Sequence, residues 1–183
     1  MRNRTNVVSV FGSSQVQPDS LAYEEGRQVG ALLAQAGLTV CSGGYGGVME
    51  AVSRGAREAG GAAIGVTSSL FGNRTANPWV NEEIRTSSFL ERVQTMVGMA
   101  QGFLALKGGI GTLTEISVVW SLLQTHSMPT KPLILLQDPW QELLDFCADR
   151  LILRPTDWDY VRLANSAAEA AHMLVTSLRG GPK

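Results

Sequence analysis

The chain is poor in the residues that most often announce metal, redox or nucleic-acid chemistry. It holds 2 cysteines in 183 residues. Cys41 and Cys147 lie far apart with no C-x-x-C, which argues against a disulfide framework and against a cysteine zinc site. The two histidines, His126 and His172, stand alone, and no metal site is expected. Lysine is nearly missing: Lys107, Lys131 and Lys183 are the whole set, and the other basic residues are arginine. With 15 basic and 16 acidic residues the net charge is -1, and no basic run or surplus marks a nucleic-acid surface. No stretch approaches the ~20 apolar residues of a membrane span. The apolar run within MRNRTNVVSVFGSS is too short for a signal peptide. These absences predict a soluble cytoplasmic protein that takes no nucleic acid, membrane or cofactor as partner.

What is present in excess is glycine, 20 residues where average usage of roughly 7% would give about 13. The hydrophobic fraction of 44% is that of a folded chain, and the length suits one domain with a core of its own. We expect that domain over 1–178, with a frayed tail over 179–183.

Short apolar runs alternate with helical periodicity. Strands are predicted at Thr5–Phe11, Leu38–Cys41, Ala62–Val66, Phe103–Leu106 and Pro132–Leu136, with shorter ones at Glu83–Arg85 and Val161–Leu163. Helical spacing links Leu21, Ala22, Val29, Leu32, Leu33 and Ala36, and again Phe89, Val93, Met96, Val97 and Ala100. Thr67–Trp79 has no periodicity and reads as a loop or flap in which Arg74 and Trp79 either close over a ligand or pack on the surface. Strand–helix alternation without hairpin signals predicts an α/β fold: a single Rossmann-like domain, a doubly wound parallel sheet with helices on both faces. A helix at about Leu113–Gln124 is apolar on nearly every side, which predicts a homodimer formed through it.

Three glycine turns each follow a strand and precede a helix: Gly12–Ser14, Ser42–Gly47 and Gly108–Thr112. In open parallel sheets, ligands bind beyond the carboxyl ends of the strands. Glycine lets backbone N–H groups approach an anion there, and a helix N-terminus favours negative charge. Gly12, Ser13, Ser14, Ser42, Gly43, Gly44, Gly108, Gly109, Gly111 and Thr112 are therefore the candidate phosphate- and nucleotide-binding set. No G-x-x-x-x-G-K-[ST] occurs, and Met49 occupies the third glycine position of G-x-G-x-x-G. A mononucleotide is favoured over a dinucleotide. Thr112 and Glu115 form T-x-x-E, which is either a capping box in the first helical turn or a carboxylate held beside the ligand. Arg92 lies out of step with the apolar stripe of its helix and by itself reads as a solvated arginine.

KGGIGTLTE (Lys107–Glu115) resembles the PGGxGTxxE signature of the LONELY GUY family, the cytokinin-activating phosphoribohydrolases once labelled "possible lysine decarboxylase". VSVFGSS (Val8–Ser14), SGGYGGVMEAVSRGA (Ser42–Ala56) and LERVQTM (Leu90–Met96) are similar to its other conserved segments. The resemblance implies Arg92 and Glu115 as the catalytic pair and Gly108, Gly109, Gly111 and Thr112 as the phosphate turn. It implies cleavage of the N-glycosidic bond of a nucleoside 5′-monophosphate, of AMP or cytokinin type, to free base and ribose 5-phosphate. Lys107 stands where the signature has proline, Val93 follows the arginine in place of lysine, and Gly98 replaces a second arginine. The segment around Gly43–Ala56 also resembles molybdenum-cofactor carrier proteins of the same fold, and a non-catalytic nucleotide or molybdenum-cofactor carrier is the alternative. Lysine decarboxylation is rejected, because a pyridoxal-phosphate enzyme needs a Schiff-base lysine and only Lys107 lies near the expected site.

Overall fold

The computed structural model describes residues 6–72 and 74–180. Seven strands, β1 (Val7–Phe11), β2 (Thr39–Ser42), β3 (Ala63–Ser68), β4 (Glu82–Thr86), β5 (Gly102–Ala105), β6 (Leu133–Leu136) and β7 (Val161–Ala164), form one sheet in the order β4-β3-β2-β1-β5-β6-β7. Every neighbouring pair is parallel. This is the doubly wound Rossmann-like fold. Each predicted strand is present within two residues of its expected bounds, apart from Thr5, which lies outside the described residues.

Among the described residues six α-helices cover the sheet: α1 (Leu21–Gln35), α2 (Val48–Glu58), α3 (Phe89–Met99), α4 (Ile110–Gln124), α5 (Gln137–Arg150) and α6 (Ala167–Arg179). Period-two alternation along the strands divides the core between the two faces. Val7 and Phe11 of β1 point to a cluster with Val93, Met96, Ile116, Val119, Trp140 and Leu144 from α3, α4 and α5. Val8 and Val10 point the other way, to Val29, Leu33, Val52, Ala170 and Leu174 from α1, α2 and α6. On that second face α1 and α2 cross at very short range: a Cβ on Gly30 would run into the Val52 carbonyl, and one on Gly55 into that of Arg27.

One expected boundary, the start of α4, is corrected. Helix α6 runs through Arg179, the first residue of the expected tail, and residues 181–183 of that tail lie outside the described residues. Helix α4 begins at Ile110 rather than Leu113, because no polar side chain marks its start. None of the helices among the described residues is long and apolar enough to cross a membrane.

The chain reverses direction in the sheet between β1 and β5. From β1 it passes to α1 on one face, and from β5 to α4 on the other. The crevice between these strand ends is the topological switch point of the fold, where ligands of open α/β sheets sit.

Candidate active site at the switch point

Helix beginnings differ according to where they lie. Ser20, Ser88 and Ser166 cap α1, α3 and α6, accepting hydrogen bonds from the amides of Tyr23, Glu91 and Glu169. Helices α2 and α4, which start from the glycine turns, have Gly47 and Gly109 at the N-cap and no side-chain cap. The first intrahelical donor of α4 is Leu113, bonded to the Gly109 carbonyl at 2.9 Å. The amides of Ile110, Gly111 and Thr112 precede it and lack an intrahelical acceptor. They face a cavity of about 320 Å³ at the switch point. A Cβ built on Gly109 or Gly111 would meet nothing within 4 Å, so at both positions the missing side chain leaves open space above the backbone.

Three turns supply the cavity wall. Gly12, Ser13, Ser14 and Gln15 come from the β1 turn, Tyr45 and Met49 from the β2 turn and the start of α2, and Gly109, Ile110, Gly111, Thr112 and Glu115 from the β5 turn and α4. Phe71 and Arg74 from the flap and Phe89 and Arg92 from α3 complete it. Eight of the twelve residues singled out in the sequence therefore share one cavity. Ser42, Gly43, Gly44 and Gly108 are outside its lining. The Ser42 hydroxyl is fully buried, accepts the Gly44 amide at 3.2 Å and turns toward the Met49 carbonyl. It is not presented to the cavity as the expected ligand donor. Gly43 makes room for the Arg92 guanidinium, which a Cβ there would strike, and Gly108 makes room for Thr112.

Arg92 is 6% exposed, so the solvated reading is corrected. Its Nε donates to the Val66 carbonyl at 2.7 Å, and its guanidinium lies over the Tyr45 ring at 5.9 Å. Nη1 is 3.6 Å from Oε1 of Glu115, a loose ion pair that leaves the carboxylate available on its cavity side. The capping-box reading of Thr112 and Glu115 is also overturned. With α4 starting at Ile110, Thr112 is the third helical residue and Glu115 the sixth, a full turn inside the helix. Glu115 is 6% exposed, and burial pushes its carboxyl up from 4.5 to about 7, against the opposing pull of the Arg92 charge.

Sequence reading missed the apolar part of the wall: Tyr45, Met49, Phe71 and Phe89. Tyr45 lies in a predicted turn, but its role depends on a distant segment. Its hydroxyl donates to the Ser68 carbonyl at 3.1 Å and accepts the Ser68 amide at 3.0 Å, and its ring meets Phe71 edge-on at 5.6 Å. Of the two flap residues, Arg74 lines the cavity, whereas Trp79 lies under Arg54, 5.4 Å from the guanidinium carbon. Lys107 is half exposed and turns toward Asp138 at 3.9 Å, and Lys131 donates to the Ala100 carbonyl at the entry to β5, the opposite edge of the sheet. Neither lines the cavity, which leaves no Schiff-base lysine in its described wall. No group of three or more potential metal ligands occurs among the described residues.

The chain is similar to a cytokinin riboside 5′-monophosphate phosphoribohydrolase of Mycobacterium tuberculosis, at 38% identity over 117 residues, 62% of this chain and 60% of that protein. It is 28% identical over 149 residues to a pyrimidine/purine nucleotide 5′-monophosphate nucleosidase of Escherichia coli, covering 77% of this chain and 32% of that protein. The chain thus spans less than two thirds of the length of these two relatives. Among solved structures, the molybdenum cofactor binding protein of Rippkaea orientalis matches with a TM-score of 0.75 at 25% identity, covering 93% of this chain and 96% of that one. A family model described as SLOG cluster4 matches residues 5–150, and the chain belongs to that family.

Proposed function

We propose that this protein hydrolyses the N-glycosidic bond of a nucleoside 5′-monophosphate, releasing the free base and ribose 5-phosphate. The observation that carries the reading is the placement of Glu115: a buried carboxyl on the cavity wall, paired with Arg92 and one turn inside a helix whose first amides are open. The phosphate is held by the amides of Ile110, Gly111 and Thr112 at the positive end of α4. Ser13 and Ser14 meet the ribose from the β1 turn. Cleavage develops positive charge on the sugar as the glycosidic bond lengthens. The Glu115 carboxylate faces that charge, stabilises it and orients the attacking water. Arg92, tied to Val66 and Tyr45, fixes the carboxylate and favours its ionised form. The names of the mycobacterial and E. coli relatives support the same bond and the same phosphate position.

Chromatography of the products from a panel of nucleoside monophosphates tests the proposal. Free base and ribose 5-phosphate are expected from at least one, with turnover reduced by roughly two to three decades in Glu115→Gln. No base from any nucleotide overturns it. In that outcome the likeness to a molybdenum cofactor binding protein favours the second reading, a carrier that binds a phosphorylated ligand in the same cavity without turnover. We also infer a homodimer through α4, whose outer face presents Ile110, Leu113, Val118 and Leu122 along an open apolar groove.

A further inference from the structure

We propose that Tyr45 is a positioning residue for the proposed cleavage: it holds both roots of the flap and the guanidinium of Arg92, and so sets the flap and the Arg92–Glu115 pair as one unit. The inference rests on the phosphoribohydrolase reading above for the role of that pair. Tyr45 lies in the turn after β2, and Gly44 brings it to the end of β3. Gly44 adopts φ +78°, and a Cβ there would stand 3.1 Å from the Gly65 backbone, so the turn lies directly against the neighbouring strand. From that place Tyr45 reaches both ends of the flap. Its hydroxyl donates to the Ser68 carbonyl and accepts the Ser68 amide, where β3 ends and the flap begins. Its own carbonyl accepts the Asn77 side-chain amide at 3.0 Å, where the flap returns. Phe71, between the two, meets the Tyr45 ring edge-on. Tyr45, Ser68 and Asn77 are all buried, which strengthens each of these bonds.

The same ring serves the catalytic pair. The Nε bond to the Val66 carbonyl fixes one point of the Arg92 guanidinium. The 3.6 Å approach to Glu115 is too long to fix the other end. The Tyr45 ring, 5.9 Å below the guanidinium carbon, supplies the second hold, through the attraction of a cation to an aromatic face. Val66 and Ser68 are two residues apart on β3, so the arginine and the flap are fastened to one stretch of strand and to one side chain. Hydrolysis needs the Glu115 carboxylate in a fixed place beside the sugar, and small misplacements of such a group are costly. A guanidinium that pivots about Nε would let the carboxylate move with it.

Two substitutions divide the residue. Tyr45→Phe keeps the ring under Arg92 and removes the hydroxyl, whereas Tyr45→Leu removes the ring as well. With AMP as substrate, Tyr45→Phe should lower kcat/KM through KM, because Phe71 and Arg74 line the cavity from the flap. Tyr45→Leu should lower kcat as well, by about 2- to 30-fold, the range of a cation–π contact. That loss should disappear in an Arg92→Met background, because the ring acts through the guanidinium. A loss of kcat that persists undiminished beside Arg92→Met overturns the proposal, and so does a kcat equally low in Tyr45→Phe. Trypsin supplies a readout without turnover. Cleavage after Arg74, relative to cleavage elsewhere in the chain, should be faster in both variants than in the wild type; an unchanged rate in Tyr45→Phe overturns the hold on the flap. Urea unfolding of Tyr45→Leu, Arg92→Met and the double variant should show non-additive changes in the unfolding constant, again by about 2- to 30-fold; additive changes overturn the hold on Arg92. If AMP is not hydrolysed, that failure belongs to the cleavage reading, and the last two measurements still decide whether Tyr45 holds the flap and Arg92.

Discussion

Glutamine in place of Glu115 keeps the shape of the side chain and removes its proton equilibrium, and the consequence for stability has a definite sign. In the unfolded chain this carboxyl titrates near its ordinary 4.5, and in the folded protein at about 7. Between those values the folded state holds a proton that the unfolded state has released, so rising pH favours unfolding. The wild type therefore loses stability from pH 4.5 to 7 and is flat with respect to this group on either side. At 1.36 kcal/mol per pH unit, a displacement of about 2.5 units amounts to about 3 kcal/mol. The variant has no such group, so the stability difference, variant minus wild type, should rise by about 3 kcal/mol between pH 4 and pH 8. Urea unfolding of both proteins at unit intervals of pH measures this directly. The same displacement governs catalysis. A mechanism that uses the carboxylate gives a kcat/KM that rises through an apparent pKa near 7, and the residual activity of the variant lacks that limb. Parallel stability profiles for the two proteins would exclude the displacement, because they would mean that the carboxyl is already ionised at pH 5 and that burial does not control it.

Other perturbations separate residues needed by the fold from residues needed by a ligand. Gly111→Ala should raise stability by about 0.5–1 kcal/mol, since helical glycine is costly and the new methyl meets nothing within 4 Å, yet weaken nucleotide affinity measured by calorimetry. Gly108→Ala should instead destabilise by about 1–3 kcal/mol in thermal unfolding, because its Cβ runs into Thr112. Arg92→Met removes the charge that holds the Glu115 carboxyl down, so the rising limb of activity should move to higher pH; an unmoved limb would show that the 3.6 Å ion pair has no influence on the titration. Light scattering should give a dimer mass for the wild type and a monomer mass for Val118→Glu on the outer face of α4; a monomeric wild type contradicts the dimer.

The alternation of strands, turns and helices was legible because strands buried on both faces read as unbroken apolar runs, and three of them, β1, β2 and β5, end at glycine turns. The start of α4 was harder, because the signal for a helix start is a polar cap, and here an uncapped glycine opens the helix. The T-x-x-E spacing imitates a capping box and misplaces Glu115 by about one turn. Arg92 misleads for a different reason. Burial of an arginine depends on acceptors elsewhere in the chain, and the Val66 carbonyl lies 26 residues away in sequence. Tyr45 and Phe71 belong to a turn and a flap, and only the hydroxyl bonds of Tyr45 to the end of β3 bring them together. The glycine surplus was located largely in the three turns, but the positions serve unlike ends. Gly12, Gly43 and Gly108 yield to neighbouring side chains, whereas Gly109 and Gly111 stand in open space on the cavity wall. Gly30 and Gly55, which bring α1 onto α2, carried no visible mark of that role.

The β1 and β2 turns are fastened to each other, and this bears on how the site can change by mutation. The Val48 amide donates to the Ser13 carbonyl at 2.8 Å, a Cβ on Gly12 would strike the Val48 side chain, and one on Gly47, at φ +67°, would strike the Ser13 carbonyl. Substitutions at 12 and 48 therefore cannot be independent, and their effects will not add. A Cβ at 12 meets the Val48 Cβ at 2.6 Å as well as its methyls, so trimming Val48 to alanine relieves only part of the obstacle to Gly12→Ala, and no change of side chain at 48 relieves Gly47, whose obstacle is backbone. Two of the three turns that line the cavity are thus joined, and the flap is joined to them in turn, because the Asn77 amide and side chain both donate to the Gly44 carbonyl, at 2.7 and 3.1 Å; a change in one segment is felt by the others.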